Sequence, residues 1–313
     1  MTRAFVFPGQ GSQAVGMGAA LAEAFAAARE VFEEVDDALS QRLSRIMFEG
    51  PERDLLLTEN AQPALMAVSL AAVRVLERDG GVSLADKAAF VAGHSLGEYS
   101  ALAAAGAMSV ADTARLLKRR GRAMQEAVPM GQGAMAALLG LDLAAAREVA
   151  EAAAQGEICA PANDNADGQV VVSGDAAAVE RAVELAAEKG AKRAIMLSVS
   201  APFHCALMAP AAGVMAAALA AATIRPPRPP LVANVTAVAV DDPDTIRQLL
   251  VEQVTAMVRW RESVLYMRDH GVDTLIELGA GKVLTGLTRR IDRELIGTAV
   301  GAPAEIEDLI KSL

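Results

Sequence analysis

Basic charge, cysteine, histidine and aromatic side chains are all scarce in this chain of 313 residues. With 29 Lys and Arg against 39 Asp and Glu, the net charge is -10, and a general affinity for nucleic acid is excluded because phosphate binding needs a basic surface. The two cysteines, Cys159 and Cys205, make neither a C-x-x-C pair nor a disulfide framework, which fits a reducing compartment. Aromatics are only 3% of residues, so the core must be built from small aliphatic side chains on helices and strands. The start, Ala4 to Phe7 and then Pro8-Gly9, lacks the long apolar region of a secretory signal. Residues 207–224 carry no charge, but alanine, Pro210 and Gly213 make them a poor spanning segment, and a buried helix is expected there. The reading is a cytoplasmic protein with neither a membrane nor a nucleic acid as partner.

What is present has the alternation of an α/β fold. Short apolar runs predict strands at 5–7, 89–92, 231–235 and 274–278, with helical stretches between them, giving a mostly parallel sheet covered by helices. Residues 134–199 have their own order. Strands at 135–139, 158–162, 169–173 and 193–199 enclose helices at 143–154 and 177–189, the β-α-β-β-α-β order of a ferredoxin-like unit. The expected organisation is a large α/β domain over residues 1–128 and 201–313, interrupted by a small inserted domain over residues 129–200. Pro226 to Pro230 reads as a stiff connector between a helix and a strand.

Gly93-His94-Ser95-Leu96-Gly97 matches G-x-S-x-G between an expected strand and an expected helix. Small flanking residues permit the sharp turn that presents a serine hydroxyl, and the Leu96 amide at the helix start can face an oxyanion. A serine needs a base. His94 would point away across the turn, and His270, before Gly271, suits a helix end. His204 follows the last strand of the insert, where a cleft between the two domains is expected, and can take and return a proton.

The helix expected over 110–128 has an apolar stripe of Leu116, Leu117, Met124 and Ala127, with Arg115, Lys118, Arg119 and Arg122 opposite. Arg120 falls inside the apolar stripe, where an unpaired guanidinium would cost several kcal/mol, so an anionic partner is required. A structural carboxylate or a substrate carboxylate would each serve. Two basic clusters, Arg115/Lys118/Arg119/Arg122 and Lys189/Lys192/Arg193, are the local patches that an acidic partner could meet.

Other readings compete. Gly9-x-Gly11-x-x-Ala14 after a strand partly matches a dinucleotide fingerprint, but Pro8 interrupts the turn and no acidic ribose ligand follows at the right distance. Gly279-Ala280-Gly281-Lys282 resembles a phosphate loop, yet Ile276 stands where that spacing needs glycine. A serine thioesterase or hydrolase would use the same nucleophile with water as acceptor. A non-catalytic acyl-CoA or carrier-protein binding module would share the fold, though it would not need both Ser95 and His204.

Several segments occur together in one order: Phe7-Pro8-Gly9-Gln10-Gly11-Ser12-Gln13, Gly93 to Tyr99, Arg119-Arg120-Gly121 with Met124-Gln125, Asn163 and Asn165 before Gly168-Gln169, and Ser200 to Met208. In this the chain resembles the malonyl-CoA:acyl carrier protein transacylases of bacterial fatty-acid synthesis. The resemblance implies a large domain like the α/β-hydrolases with a ferredoxin-like insert. It also implies malonyl transfer from malonyl-CoA to the thiol of acyl carrier protein through a malonyl-serine. Coenzyme A thioester is then a substrate, with no cofactor and no metal. The roles implied are Ser95 as nucleophile, His204 as base, the amides of Gln10 and Leu96 as oxyanion hole, and the Gln253 carbonyl as the group orienting the histidine. Arg120 would hold the malonyl carboxylate, with Met124, Asn163, Asn165 and Phe203 around the substrate. Phe203 stands where the family often has a small residue, and in related modular synthases a phenylalanine there goes with malonyl over methylmalonyl. The Tyr-Asn-Pro expected after Gln253 is replaced by Val254-Thr255-Ala256.

Overall fold

The computed structural model describes residues 2–313. Among them a six-stranded sheet has the order β10-β9-β1-β2-β7-β8, formed by β1 (Arg3–Phe7), β2 (Phe90–Gly93), β7 (Leu231–Val232), β8 (Ala239–Val240), β9 (Thr274–Leu278) and β10 (Ile296–Val300). All its pairings are parallel except β7 with β8. Strands β1 and β9 are buried almost throughout, as a sheet covered on both faces requires. The expectation of a largely parallel α/β sheet holds. Its two missing members, β8 and β10, lie where the sequence pattern is weakest: β8 has two half-buried residues, and β10 alternates exposed and part-buried ones.

The second sheet, order β4-β5-β3-β6, is antiparallel. Its strands are β3 (Gly133–Leu139), β4 (Cys159–Ala166), β5 (Gln169–Asp175) and β6 (Arg193–Met196). The helices Leu143–Ala154 and Ala176–Glu188 cover one face through an alanine- and valine-rich core containing Ala136, Leu138, Val149 and Val172. Met135 and Val171, alternate residues on the same strands, face the main core instead. Sequence periodicity finds this order because each strand has one helix-covered face.

Three expectations need correction. The strand expected over 231–235 stops at Val232, because the chain turns and Asn234 gives its side chain to the loop after β2. The strand expected over 193–199 stops at Met196, and residues 197–199 instead line the cavity described below. The segment 207–224 is not a buried helix. Its helix, Ala209–Ala220, buries Ala211, Met215, Ala218 and Leu219 on one face and leaves Val214 on the other, because alanine is small enough to tolerate solvent. No helix among the described residues is long and apolar enough to cross a membrane.

Candidate active site

The parallel strands of the large sheet all end along one edge, and the loops that leave them gather there. Two of those loops, 8–13 after β1 and 94–96 after β2, form one wall of a cavity of about 340 Å³. The small sheet supplies the opposite wall through Met135 and Asn163, joined by residues 197–199 just beyond β6.

The turn after β2 is held by close backbone approach. A Cβ on Gly93 would overlap the Gly97 carbonyl, and one on Gly97 would overlap the Phe7 carbonyl, so both positions exclude a side chain. Ser95 between them has φ 53°, a left-handed conformation that is strained for a residue with a Cβ. The Ser95 amide donates to Asn234 Oδ1 at 2.8 Å and Asn234 Nδ2 donates to the Gly93 carbonyl at 2.7 Å, which ties down both sides of the turn.

His204 comes to this serine from 109 positions away, with Nε2 2.8 Å from Ser95 Oγ. It too has positive φ, 60°, just beyond the chain's return from β6. Its Nδ1 is 2.8 Å from the Gln253 carbonyl oxygen, an acceptor only, so Nδ1 carries the hydrogen and Nε2 is left as the basic nitrogen. Burial pushes the His204 pKa down to about 3, aided by the nearby Arg120 charge, and the imidazole is neutral at neutral pH. As the unfolded chain would protonate it near 6.5, its burial costs stability progressively as pH falls below that value.

Arg120 is 1% exposed. Its Nη1 donates to Gln62 Oε1 at 2.9 Å, and its Nη2 donates to Gln253 Oε1 at 2.8 Å and to Ser95 Oγ at 3.1 Å. The guanidinium carbon lies 5.6 Å from the centroid of the Tyr99 ring, and Nε has no hydrogen-bond partner among the described residues. Among the described residues no carboxylate pairs with it directly.

The remaining expected residues divide. Gln10, Leu96, Met124, Asn163 and Phe203 line the cavity, and the Gln10 and Leu96 amides donate to no group among the described residues. Asn165 is not part of the lining; its Oδ1 sits 2.9 Å from His94 Nε2. His94 lines the cavity with its ring bonded to Asn165 rather than to Ser95. His270 caps the helix Trp260–Asp269 and stacks on Tyr266 at 4.0 Å. Sequence reasoning missed Gln62, Glu98 and Asn234. Gln62 interrupts the apolar run of the helix Thr58–Arg78, as Ser69 does, and Glu98 directly follows the elbow motif, but nothing local marks Asn234.

A serine on a strand-to-helix elbow, in contact with an imidazole and a buried guanidinium on an α/β sheet, defines a class: Ser-His acyl-transfer proteins. Comparison with known proteins narrows this. Residues 4–301 match the family described as acyl transferase domain. The malonyl CoA-acyl carrier protein transacylase of Bacillus subtilis is 46% identical over 99% of this chain and 96% of its own length. That of Escherichia coli K12 is 48% identical over 96% of each. The crystal structure of the acyl-carrier-protein-S-malonyltransferase from Bartonella henselae superposes with a TM-score of 0.97 at 57% identity, covering 100% of this chain and 99% of that one. The chain belongs to the malonyl CoA-acyl carrier protein transacylase family.

Proposed function

We propose that this protein transfers the malonyl group from malonyl-CoA to the phosphopantetheine thiol of acyl carrier protein, for fatty-acid synthesis, through a malonyl ester on Ser95. The observation that carries the reading is the buried Arg120, in contact with Ser95 Oγ and lacking a carboxylate of its own. In a malonyl group the free carboxylate is two bonds from the acyl carbon. A guanidinium beside the nucleophile is placed to hold it with parallel N–H bonds while the acyl carbon meets the serine.

In the first half-reaction Ser95 Oγ attacks the thioester carbonyl carbon as His204 Nε2 takes its proton. The Gln253 carbonyl, accepting from Nδ1–H, stabilises the imidazolium. The oxyanion falls to the free amides of Gln10 and Leu96, the latter reinforced by the start of the helix Gly97–Ala104. Collapse breaks the C–S bond, and His204 returns the proton to the departing coenzyme A thiolate. The second half-reaction reverses these steps: the carrier thiol gives its proton to His204, its sulfur attacks the malonyl ester, and Ser95 leaves with that proton. Phe203 and Met124 shape the apolar side of the pocket, Asn163 the wall given by the small sheet, and Asn165 holds His94 in place.

A structure of a type II polyketide acyl carrier protein in complex with its malonyl-transacylase, 43% identical to this chain with TM-score 0.96, covers 100% of both chains. It supports the carrier as partner here. Of the basic residues considered for docking, Arg115, Lys118, Arg122 and Lys189 are engaged by Asp112, Glu59, Glu126 and Glu148. Arg119, Lys192 and Arg193 form no ion pair among the described residues, and are the cations offered to an acidic partner. The division into a large domain (1–128 and 201–313) and an insert (129–200) gives each partner of the cleft its own core. A cytoplasmic location agrees with the substrates and with the cysteine content.

Intact-mass measurement after brief mixing with malonyl-CoA tests the reading. One malonyl addition is expected, lost on adding the carrier and absent in Ser95→Ala; an adduct persisting in that variant refutes it. Rapid loss of the adduct to water without a carrier would indicate a hydrolase instead.

A further inference from the structure

Glu98, on the first turn of the helix Gly97–Ala104, is 0% exposed and outside the cavity lining. Its Oε2 accepts from the Asn234 amide at 2.9 Å and from Gln253 Nε2 at 3.0 Å, while Oε1 has no partner among the described residues. The other end of the same Gln253 amide, Oε1, accepts from Arg120 Nη2 at 2.8 Å. One planar amide thus separates a buried acid from a buried guanidinium that has no direct carboxylate partner.

Burying a lone guanidinium is costly, and Glu98 is the acid that balances it at one remove. A second anion changes the account, since one guanidinium cannot neutralise two carboxylates in a water-poor site. We infer that Glu98 is the site's charge-balancing acid: above neutral pH it is ionised opposite Arg120 when the site is empty, and it takes up one proton when a substrate carboxylate docks on Arg120. The inference rests on Arg120 being the carboxylate's partner, as proposed above.

Burial pushes the Glu98 pKa up to about 7, against the opposing pull of the Asn234 amide, the Gln253 amide and Arg120. A carboxylate on Arg120 cancels part of that last pull and raises it further. Among the described residues, Arg120 from the helix Val110–Ala127 is the charged group that acts on Glu98; none on β1, β2, β7 or the helix Thr58–Arg78 contributes. Tyr99 beside it is pushed up to about 12, His204 down to about 3, and His94 is also lowered. Between pH 7 and 9 Glu98 alone among these groups titrates. Because the bound state holds the extra proton, affinity falls as pH rises through the free-state pKa, by up to about tenfold per pH unit.

The test uses Ser95→Ala, which cannot be acylated, and a short malonyl thioester without phosphate groups. Calorimetric titration at pH 8 in two buffers of different ionisation enthalpy should show close to one proton taken up per thioester bound. Adding Glu98→Gln, whose carbonyl oxygen can accept both existing hydrogen bonds, should abolish that uptake and leave affinity flat from pH 7 to 9. Should that double variant fail to fold, infrared difference spectra of Ser95→Ala alone decide: binding should create a protonated-carboxyl band. Binding that needs Arg120 yet takes up no proton, or shows no such band, overturns the role of Glu98 alone. Binding undiminished by Arg120→Ala overturns the carboxylate-clamp reading with it.

Discussion

Two arginines, one in the cavity and one at the seam between the sheets, show opposite treatments of the same side chain. At the seam, Arg261 Nε donates to both carboxylate oxygens of Asp164, which is 1% exposed on β4, and Nη2 lies 2.9 Å from Oδ2. Backbone bonds run alongside, from Asp164 to the Val258 carbonyl and from Val258 to the Ala162 carbonyl, each 2.9 Å. Charge and hydrogen bonding are closed within the chain, and the four-stranded sheet is fastened to Val258 and to the helix Trp260–Asp269 that follows it. In the cavity, Arg120 receives only amide, hydroxyl and aromatic neighbours, and one of its N–H groups points at the nucleophile. Where cohesion is needed the chain supplies its own carboxylate. Where an acyl group must be chosen, that position is left for the substrate.

The largest expected break in this contrast comes from Arg120→Ala. A desolvated, doubly hydrogen-bonded charge pair is worth about 2–5 kcal/mol, so malonyl transfer should fall roughly 30-fold to several thousand-fold. Acetyl transfer, which has no carboxylate to lose, should stay equal or improve, since the wild type must leave Arg120 without its anion when acetyl binds. Competition between the two thioesters, read by the mass of the acyl-enzyme, checks both. Parallel loss in a folded protein would make Arg120 a structural residue like Arg261.

A smaller effect should follow from making the cavity resemble the seam. Gln62→Glu places a carboxylate against Arg120 Nη1, where Gln62 Oε1 now accepts, and pre-empts the substrate. A drop in malonyl kcat/KM of about 10- to 100-fold, carried mainly by KM, is expected with acetyl transfer little changed. An unaltered KM would show that the carboxylate docks elsewhere. Smaller still for catalysis is Arg261→Ala, which strands the buried Asp164. It should lower stability by about 1–3 kcal/mol, seen as a reduced urea midpoint, while the malonyl to acetyl preference stays within about twofold. A changed preference there would mean that the seam helps set cavity shape.

Much of the site's personnel was visible before folding, for different reasons. The elbow shows because close backbone approach restricts Gly93 and Gly97 and the motif is contiguous. Arg120 shows because a helix has a fixed period, and a cation inside an apolar stripe breaks the pattern. His204 shows because the chain has only three histidines and this one follows the last strand of the insert. Asn234 was hidden inside an apolar run read as strand, and Glu98 passed as one polar residue at a helix start, where acids are common. Their significance lies in partners 136 to 155 residues away.

Local pattern sufficed for the helical and extended segments, the alternating order of the small sheet and the residue types of the chemistry, because each is written in a window of a few residues. It could not reach the short strands β8 and β10, whose half-exposed residues owe their conformation to neighbouring strands. Nor could it show whether Arg120 closes on an internal acid or stays open, a matter of a few ångströms among side chains drawn from four segments. Long-range packing settled that, by bringing Gln62, Ser95 and Gln253 to the guanidinium and setting Glu98 one amide behind it. The physical reason is that charge balance in a buried site is summed over space rather than along the chain.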